Sequence, residues 1–326
     1  MSNLPNFPTI RPSLLLDFAN SKQVDPRIPF TRSSTATYFD AQGVLRTAAS
    51  GVPRIDHDPA TGECKGLLIE EARTNLLLNS LIDGTNLATQ TVTVTAVAHT
   101  ISFYGSGSVN LSGAHSATVT GTGAYPSRKT LTFTPTAGSL TLTVTGDVKW
   151  AQLEAGEFAT SHIPTTSAAA TRAADVARMS GTNFSEWYRQ DEGTFVVEYH
   201  CDHIGGPQYP SAWYADSGGS NRFGHSITDV NKNVNYDSVT AGVSTAYLAY
   251  TNAADDVKSA FAYRQNDMAA STFGGAVVSD TSTTVPPVTA LDIGGHLSVA
   301  QLNGSIRSLR YYPKRLSNAE LQALTA

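Results

Sequence analysis

From Thr85 to Gly146 the chain runs for 62 residues without one Asp or Glu, and only Arg128 and Lys129 carry charge. Sixteen of those residues are Thr. The runs "TVTVTAV" and "TLTFTPTAGSLTLTVTGDV" alternate Thr with an apolar residue. That period of two puts every apolar side chain on one face of a strand and every Thr on the other. β-Branched Thr suits an exposed pleated surface. The punctuation at "GSGS", "LSGAHS" and "GTGAYPS" divides the region into short strands, so an antiparallel sandwich is expected here.

The rest of the chain follows from this. Among 326 residues only 15% are charged, against about 25% in an average soluble protein. The surface must therefore be built from Ser, Thr, Asn and Gly. A net charge of -5 argues against nucleic acid, whose binding needs clustered Lys and Arg. No window approaches the ~18 apolar residues needed to cross a bilayer, and the N-terminus lacks the pattern of a secretory signal. The protein is expected to be made in the cytoplasm, with Cys64 and Cys201 as thiols.

Five prolines in the first 29 residues (Pro5, Pro8, Pro12, Pro26 and Pro29) favour an extended arm that needs something to lie against. Residues 1–80 read as this arm plus a small β unit, and 81–164 as the Thr-rich sandwich. Residues 165–180 read as a linker. Residues 181–326 hold ten of the thirteen tyrosines and two of the three tryptophans, with strand-like runs such as "GTFVVEYH" and "KSAFAYR". They are expected to form a second all-β domain. It closes with "RLSNAELQAL", where Ser317 and Glu320 fit a helix capping box and Leu316 and Leu321 a hydrophobic staple.

Three clusters invite a chemical reading. Asp56, His57, Asp58 and Glu63 offer oxygens to a calcium ion, with Asp56 and Asp58 the best candidates. The same segment, "DPATGE", also reads as turn chemistry, which is preferred. In "EYHCDH", Glu198, His200 and Asp202 share one face of a strand and Val197, Tyr199 and Cys201 the other. Paired carboxylates there would suit glycoside hydrolysis. His200, Cys201 and His203 alternate faces and cannot converge on zinc. The richest cluster is "GGPQYPSAWYADSGGSNRFGHS". Tyr209, Trp213 and Tyr214 are flat rings for the apolar faces of sugars, and Asn221, Arg222 and His225 are partners for sugar hydroxyls. Tyr236, Tyr247 and Tyr250 are candidates for the same sheet face. Tyr125 and Arg128 suggest a secondary glycan site, and Arg128, Arg222 and Arg264 would suit an acidic polysaccharide. Trp150 and Trp187, beside strand-like runs, are expected in the core.

The stretches "LLLDFANSKQVDPRIPFTRSSTATYFDAQG" and "GLLIEEARTNLLLNS" resemble the N-terminal signature of modular spike and fibre proteins of tailed phages and gene transfer agents. The segment from "SFYGSGS" to "ATSHIPT" resembles a carbohydrate-binding-module-type jelly roll, and "LNGSIRSLRYYPKRLSNAELQAL" the closing strand and helix of a concanavalin A-like, laminin-G-like domain. The resemblance implies tandem antiparallel β-sandwiches in a virion structural protein, a head spike or fibre on a phage-like particle. It would attach the particle to host surface or capsular polysaccharide, with other particle proteins held by the N-terminal arm. A homo-oligomer without membrane insertion, catalytic residues or a cofactor is expected. A polysaccharide-degrading spike and a purely architectural decoration protein are the alternatives.

Overall fold

Alternation dictates most of what is seen. In a computed structural model, which describes residues 7–123, 127–201, 208–214, 219–228, 232–251, 254–296 and 300–326, the chain is all-β. The helices among the described residues are short: Phe18–Ser21, Thr182–Ser185 and Asn318–Thr325. None is long and apolar enough to cross a membrane. The chain divides into two units, each discontinuous in sequence. One comprises residues 1–31, 64–71 and 174–326; the other comprises 32–63 and 72–173.

The Thr-rich unit has two main antiparallel sheets. One runs Ala117–Thr120, Ser108–Gly113, Gly138–Thr145, Gln90–Val94; the other runs Arg128–Phe133, His99–Tyr104, Lys149–Ala155. Val109, Leu111, Leu140 and Leu142 from the first meet Ile101, Phe103, Ala151 and Leu153 from the second in one core. Thr91, Thr93, Thr118, Thr120, Thr143 and Thr145 face water, as their period requires. Thr91 and Thr141, paired across strands, share a hydroxyl contact of 2.9 Å.

The Tyr-rich unit is a sandwich of two antiparallel sheets. In the first, the order is Val278–Asp280, Asp267–Thr272, Asp256–Arg264, Glu192–Cys201, Gly304–Tyr312, and the last pairs with both Cys64–Ile69 and Leu14–Asp17. The second runs Phe30–Thr31, Val176–Ser180, Ala290–Ile293, Gln208–Tyr214, Arg222–Thr228, Asn233–Thr240, Val243–Tyr250. Rings from the two sheets meet in the middle: Phe223 lies 4.5 Å from Tyr263, and Tyr236 lies 5.3 Å from Phe261. The outer face of the first sheet carries Val196, Ala260, Ala262 and Ala269, and the terminal helix covers it with Leu321 and Leu324. Ser317 and Glu320 form the expected capping box, and Leu316 and Leu321 are both buried.

Two expectations about organisation are corrected. The N-terminal arm is not free to dock elsewhere from Leu14 onward. Leu14–Asp17 is a strand of the Tyr-rich sandwich, in register with Tyr311 to Ser308, and Leu14, Leu16 and Phe18 are buried. An edge strand's unpaired N–H and C=O groups need partners, and an extended, apolar, alternating segment supplies them. Likewise residues 165–180 are not a structureless linker: Ala170–Arg172 and Val176–Ser180 are strands, one in each unit. Residues 1–80 therefore contribute to both units instead of forming one of their own.

Candidate ligand-binding site

Period-two alternation splits "RFGHSIT" into two roles. Phe223, His225 and Ile227 are buried in the sandwich core, which leaves Arg222, Gly224, Ser226 and Thr228 on the outer face of the second sheet. Gly224 stands opposite Asp237 on the next strand. A Cβ at Gly224 would lie 1.9 Å from Asp237 Oδ1, so the missing side chain makes room for that carboxylate to lean over the strand. Arg222 meets it there: Nε donates to Asp237 Oδ2 at 2.9 Å, Nη2 lies 2.8 Å from the same oxygen, and Nη1 donates to the Gly219 carbonyl at 3.0 Å. Three of the guanidinium's five N–H groups fix its plane, and among the described residues the other two meet no partner.

Two rings flank this pair. Tyr209 and His296 lie with centroids 4.8 Å apart, both half-buried, and His296 comes within 3.3 Å of the Cβ position of Gly219. Burial, reinforced by the positive charge of Arg222, lowers His296 to about 4, so the imidazole is neutral at ordinary pH. Burial also raises the Tyr209 phenol, with Asp237 adding to the rise, and raises the Asp237 carboxyl against the pull of Arg222. The strand register carries the polar row further: Arg178 opposes Asp292 at one end, and Asp237 opposes Tyr247 at the other. Arg178 Nε lies 3.9 Å from Asp292 Oδ1, and Tyr247, 60% exposed, donates to Asn235 Oδ1 at 2.7 Å. The result is an uncharged ring pair beside a rigid, internally neutralised ion pair. Such a surface can stack on a sugar's apolar face and bond its hydroxyls.

The structure sorts the sequence candidates. Tyr209, Arg222 and Tyr247 lie on this face. Asn221 adjoins it, its Oδ1 accepting from Ala241 N at 3.0 Å. His225 and Tyr236 do not: both are fully buried, stacked 4.9 Å apart inside the sandwich, with His225 Nε2 3.2 Å from Ser259 Oγ. Their strand positions point inward, so neither ring can touch a sugar. Arg264 belongs to the other sheet and bonds Asp267 at 2.7 Å. Tyr250 ties its hydroxyl to the Ala270 carbonyl at 2.7 Å. Trp213 and Tyr214 occupy strand positions opposite Phe223 and Arg222; their side chains lie outside the described residues. Tyr125, Asp202 and His203 also fall outside them.

Other clusters have internal duties. Arg128 donates to the Thr160 carbonyl at 2.6 Å and to Ser102 Oγ at 2.7 Å, beneath the Tyr104 ring, which removes it from a surface glycan site. Asp56 accepts from Phe39 N, and Asp58 from Ala60 N and Thr61 N, as turn carboxylates do. No group of three or more His, Cys, Asp or Glu among the described residues is arranged to hold a metal. Glu198 and His200 do share the outer face of their strand, with Val197, Tyr199 and Cys201 buried. Glu198 pairs with Arg307 at 3.4 Å and His200 with Asp256 at 2.9 Å. Trp187 is core, as expected; Trp150 is half-buried and is not. Sequence reasoning missed Asp237 and His296. The one available signal was Gly224, an alternation-breaking glycine that needs a reason.

No family model matches the chain, and no curated protein matches it. Among solved structures it is similar to the carbohydrate-binding module CBM40 of the Ruminococcus gnavus IT-sialidase bound to α2,3-sialyllactose. The two are 17% identical, with a TM-score of 0.38 over 42% of this chain and 84% of that one. It is also similar to the NanB sialidase of Streptococcus pneumoniae, at 15% identity and a TM-score of 0.38 over 46% of this chain, which spans 26% of that protein. The leech intramolecular trans-sialidase complexed with 2,7-anhydro-Neu5Ac gives 14% and 0.36, over 42% of this chain and 23% of that one.

Proposed function

We propose that this chain is a non-enzymatic spike or fibre subunit of a phage-like particle, and that it attaches the particle to host surface or capsular polysaccharide. The binding surface is the outer face of the second sheet of the Tyr-rich unit. The observation that carries this reading is the convergence of Tyr209, His296 and the Arg222–Asp237 pair on one strand-built face. The particle assignment is supported by the sequence resemblance of residues 14–43 and 66–80 to spike and fibre proteins.

Single sugar contacts of this size are weak, so several copies on one particle supply useful affinity through avidity. Arg222 suits a polysaccharide bearing carboxylates, because a planar guanidinium recognises them in a fork. The test uses the whole chain, since Leu14–Asp17 and Cys64–Ile69 complete the sandwich. Capsular polysaccharide immobilised on a sensor chip is expected to bind wild type and to lose most binding with Arg222→Ala or Tyr209→Ala. Unchanged binding by both folded variants would move the site elsewhere.

A further inference from the structure

Arg222 meets a ligand already neutralised, and the group that neutralises it is one that a proton can silence. Asp237 Oδ2 takes both Nε and Nη2 of the guanidinium, at 2.9 and 2.8 Å. The carboxylate is seated in the space that Gly224 leaves empty, its Oδ1 1.9 Å from the Cβ position there. The Arg222 side chain is 27% exposed and that of Asp237 14%. The guanidinium thus reaches solvent, while its counter-charge sits beneath it, shielded from water.

A polymer carboxylate that binds Arg222 places a second carboxylate on one guanidinium. Like charges that share a partner disfavour each other's ionisation, and one of the two takes up a proton. Asp237 is the one placed to do so. Burial raises its carboxyl against the pull of Arg222, whereas a sugar carboxylate arriving from solvent keeps part of its hydration.

We infer that Asp237 is a proton gate on this face. Ionised, it holds the Arg222 charge back from an anionic polysaccharide; protonated, it leaves that charge to the ligand. The gate rests on the binding surface proposed above and adds its regulation. In the bound state the Asp237 carboxyl titrates higher than in the free state. Affinity therefore rises as pH falls through the bound-state value and levels off below the free-state one.

The neighbours leave this titration to Asp237. Among the described residues, Arg222 faces it from Arg222–Thr228, Tyr209 from Gln208–Tyr214 and Tyr247 from Val243–Tyr250. His296 lies within the field of Arg222; burial and that charge lower it to about 4. Burial, with Asp237 adding to it, raises the Tyr209 phenol, so neither ring changes charge between pH 7.5 and 5. Asp292, farther along the row, pairs with Arg178 at 3.9 Å.

The experiment measures Kd for the full chain on sensor chips carrying capsular polysaccharide, polygalacturonate or alginate. Each polymer is used native and after carbodiimide–borohydride reduction of its carboxylates. The wild type should bind at least one native polymer about fivefold or more tightly at pH 5 than at pH 7.5, and reduction should remove that pH dependence. Asp237→Asn keeps an acceptor oxygen for Nε without the charge, so it should bind at pH 7.5 as the wild type does at pH 5. Binding that is lost with Arg222→Ala but is flat in pH, with Asp237→Asn no tighter, would overturn the gate and leave the binding surface standing. Binding to no polymer, or binding indifferent to Arg222→Ala, would overturn both. Should Asp237→Asn not fold, calorimetric titration of the wild type at pH 6 in buffers of different ionisation enthalpy decides the matter. Proton uptake on binding supports the gate, and its absence refutes it.

Discussion

The imidazole at the centre of the Tyr-rich sandwich makes an acid-sensitivity prediction with a definite size. His225 is fully buried between Tyr199 at 5.5 Å and Tyr236 at 4.9 Å, and burial lowers it from 6.5 to about 3. Above pH 6.5 it is neutral in both folded and unfolded chains and has no effect on stability. Below that, the unfolded chain takes up a proton that the folded chain refuses, so stability falls as pH falls and levels off only below the folded value. At pH 5 the unfolded imidazole has about 1.5 pH units of protonation advantage, which at 1.36 kcal/mol per unit is about 2 kcal/mol. Burial raises Asp237, which acts in the opposite sense, so the useful quantity is the difference between wild type and His225→Phe. Phe preserves the stack on Tyr236 and costs a pH-independent offset for the lost Ser259 contact. Urea unfolding from pH 7.5 to 5 should show the wild type losing about 2 kcal/mol more than the variant. In calorimetry this corresponds to roughly 4–8 °C in Tm for a unit of this size. Parallel pH profiles for the two proteins would refute the reasoning and place His225 in contact with water.

Three further outcomes are expected. Gly224→Ala, by forcing Asp237 away from its strand, should cost about 1–3 kcal/mol in urea unfolding and weaken capsule binding with it; an unperturbed variant would mean that the Arg222–Asp237 pair is not held as described. Leu16→Ala removes a buried side chain of the strand that pairs with Gly304–Tyr312 and should cost about 2–5 kcal/mol, read from the same unfolding curves; a surface-like loss of a few tenths would show that residues 14–17 are a detachable arm. Incubated with purified capsule, the wild type should release no reducing ends; release that Glu198→Gln abolishes would make the protein a hydrolase.

Much of the fold was legible because alternation is a local signal. "TVTVT", "TLTLTVT" and "GTFVVEYH" each state which residues go inside, and the capping box of Ser317 and Glu320 is written in four residues. Strand pairing is not local. Nothing near Leu14 announces Tyr311 as its neighbour, so the sequence leaves open what the arm lies against, and the two units read as consecutive instead of interleaved. The site suffered from the same blindness. "SNRFGHS" reads as one cluster that groups Arg222 with His225, although as a strand its own alternation sends them to opposite faces. Asp237 and His296 reach Arg222 from positions 15 and 74 residues away, through pairings that only the folded sheet specifies. Trp150 sits in a strand-like run and so read as core; the bulge there, where Lys149–Ala155 slips register against His99–Tyr104, leaves no mark in a single sequence.

The central claim is that the Tyr209, His296 and Arg222 face holds a bacterial surface polysaccharide. The most direct measurement is binding of the fluorescently labelled full chain to encapsulated host cells and to the same cells stripped of capsule, with Arg222→Ala and Tyr209→Ala alongside. Binding that disappears with the capsule and with either substitution is the predicted result. Equal binding to both cell types, or binding to neither, would contradict the account and leave an architectural subunit in its place.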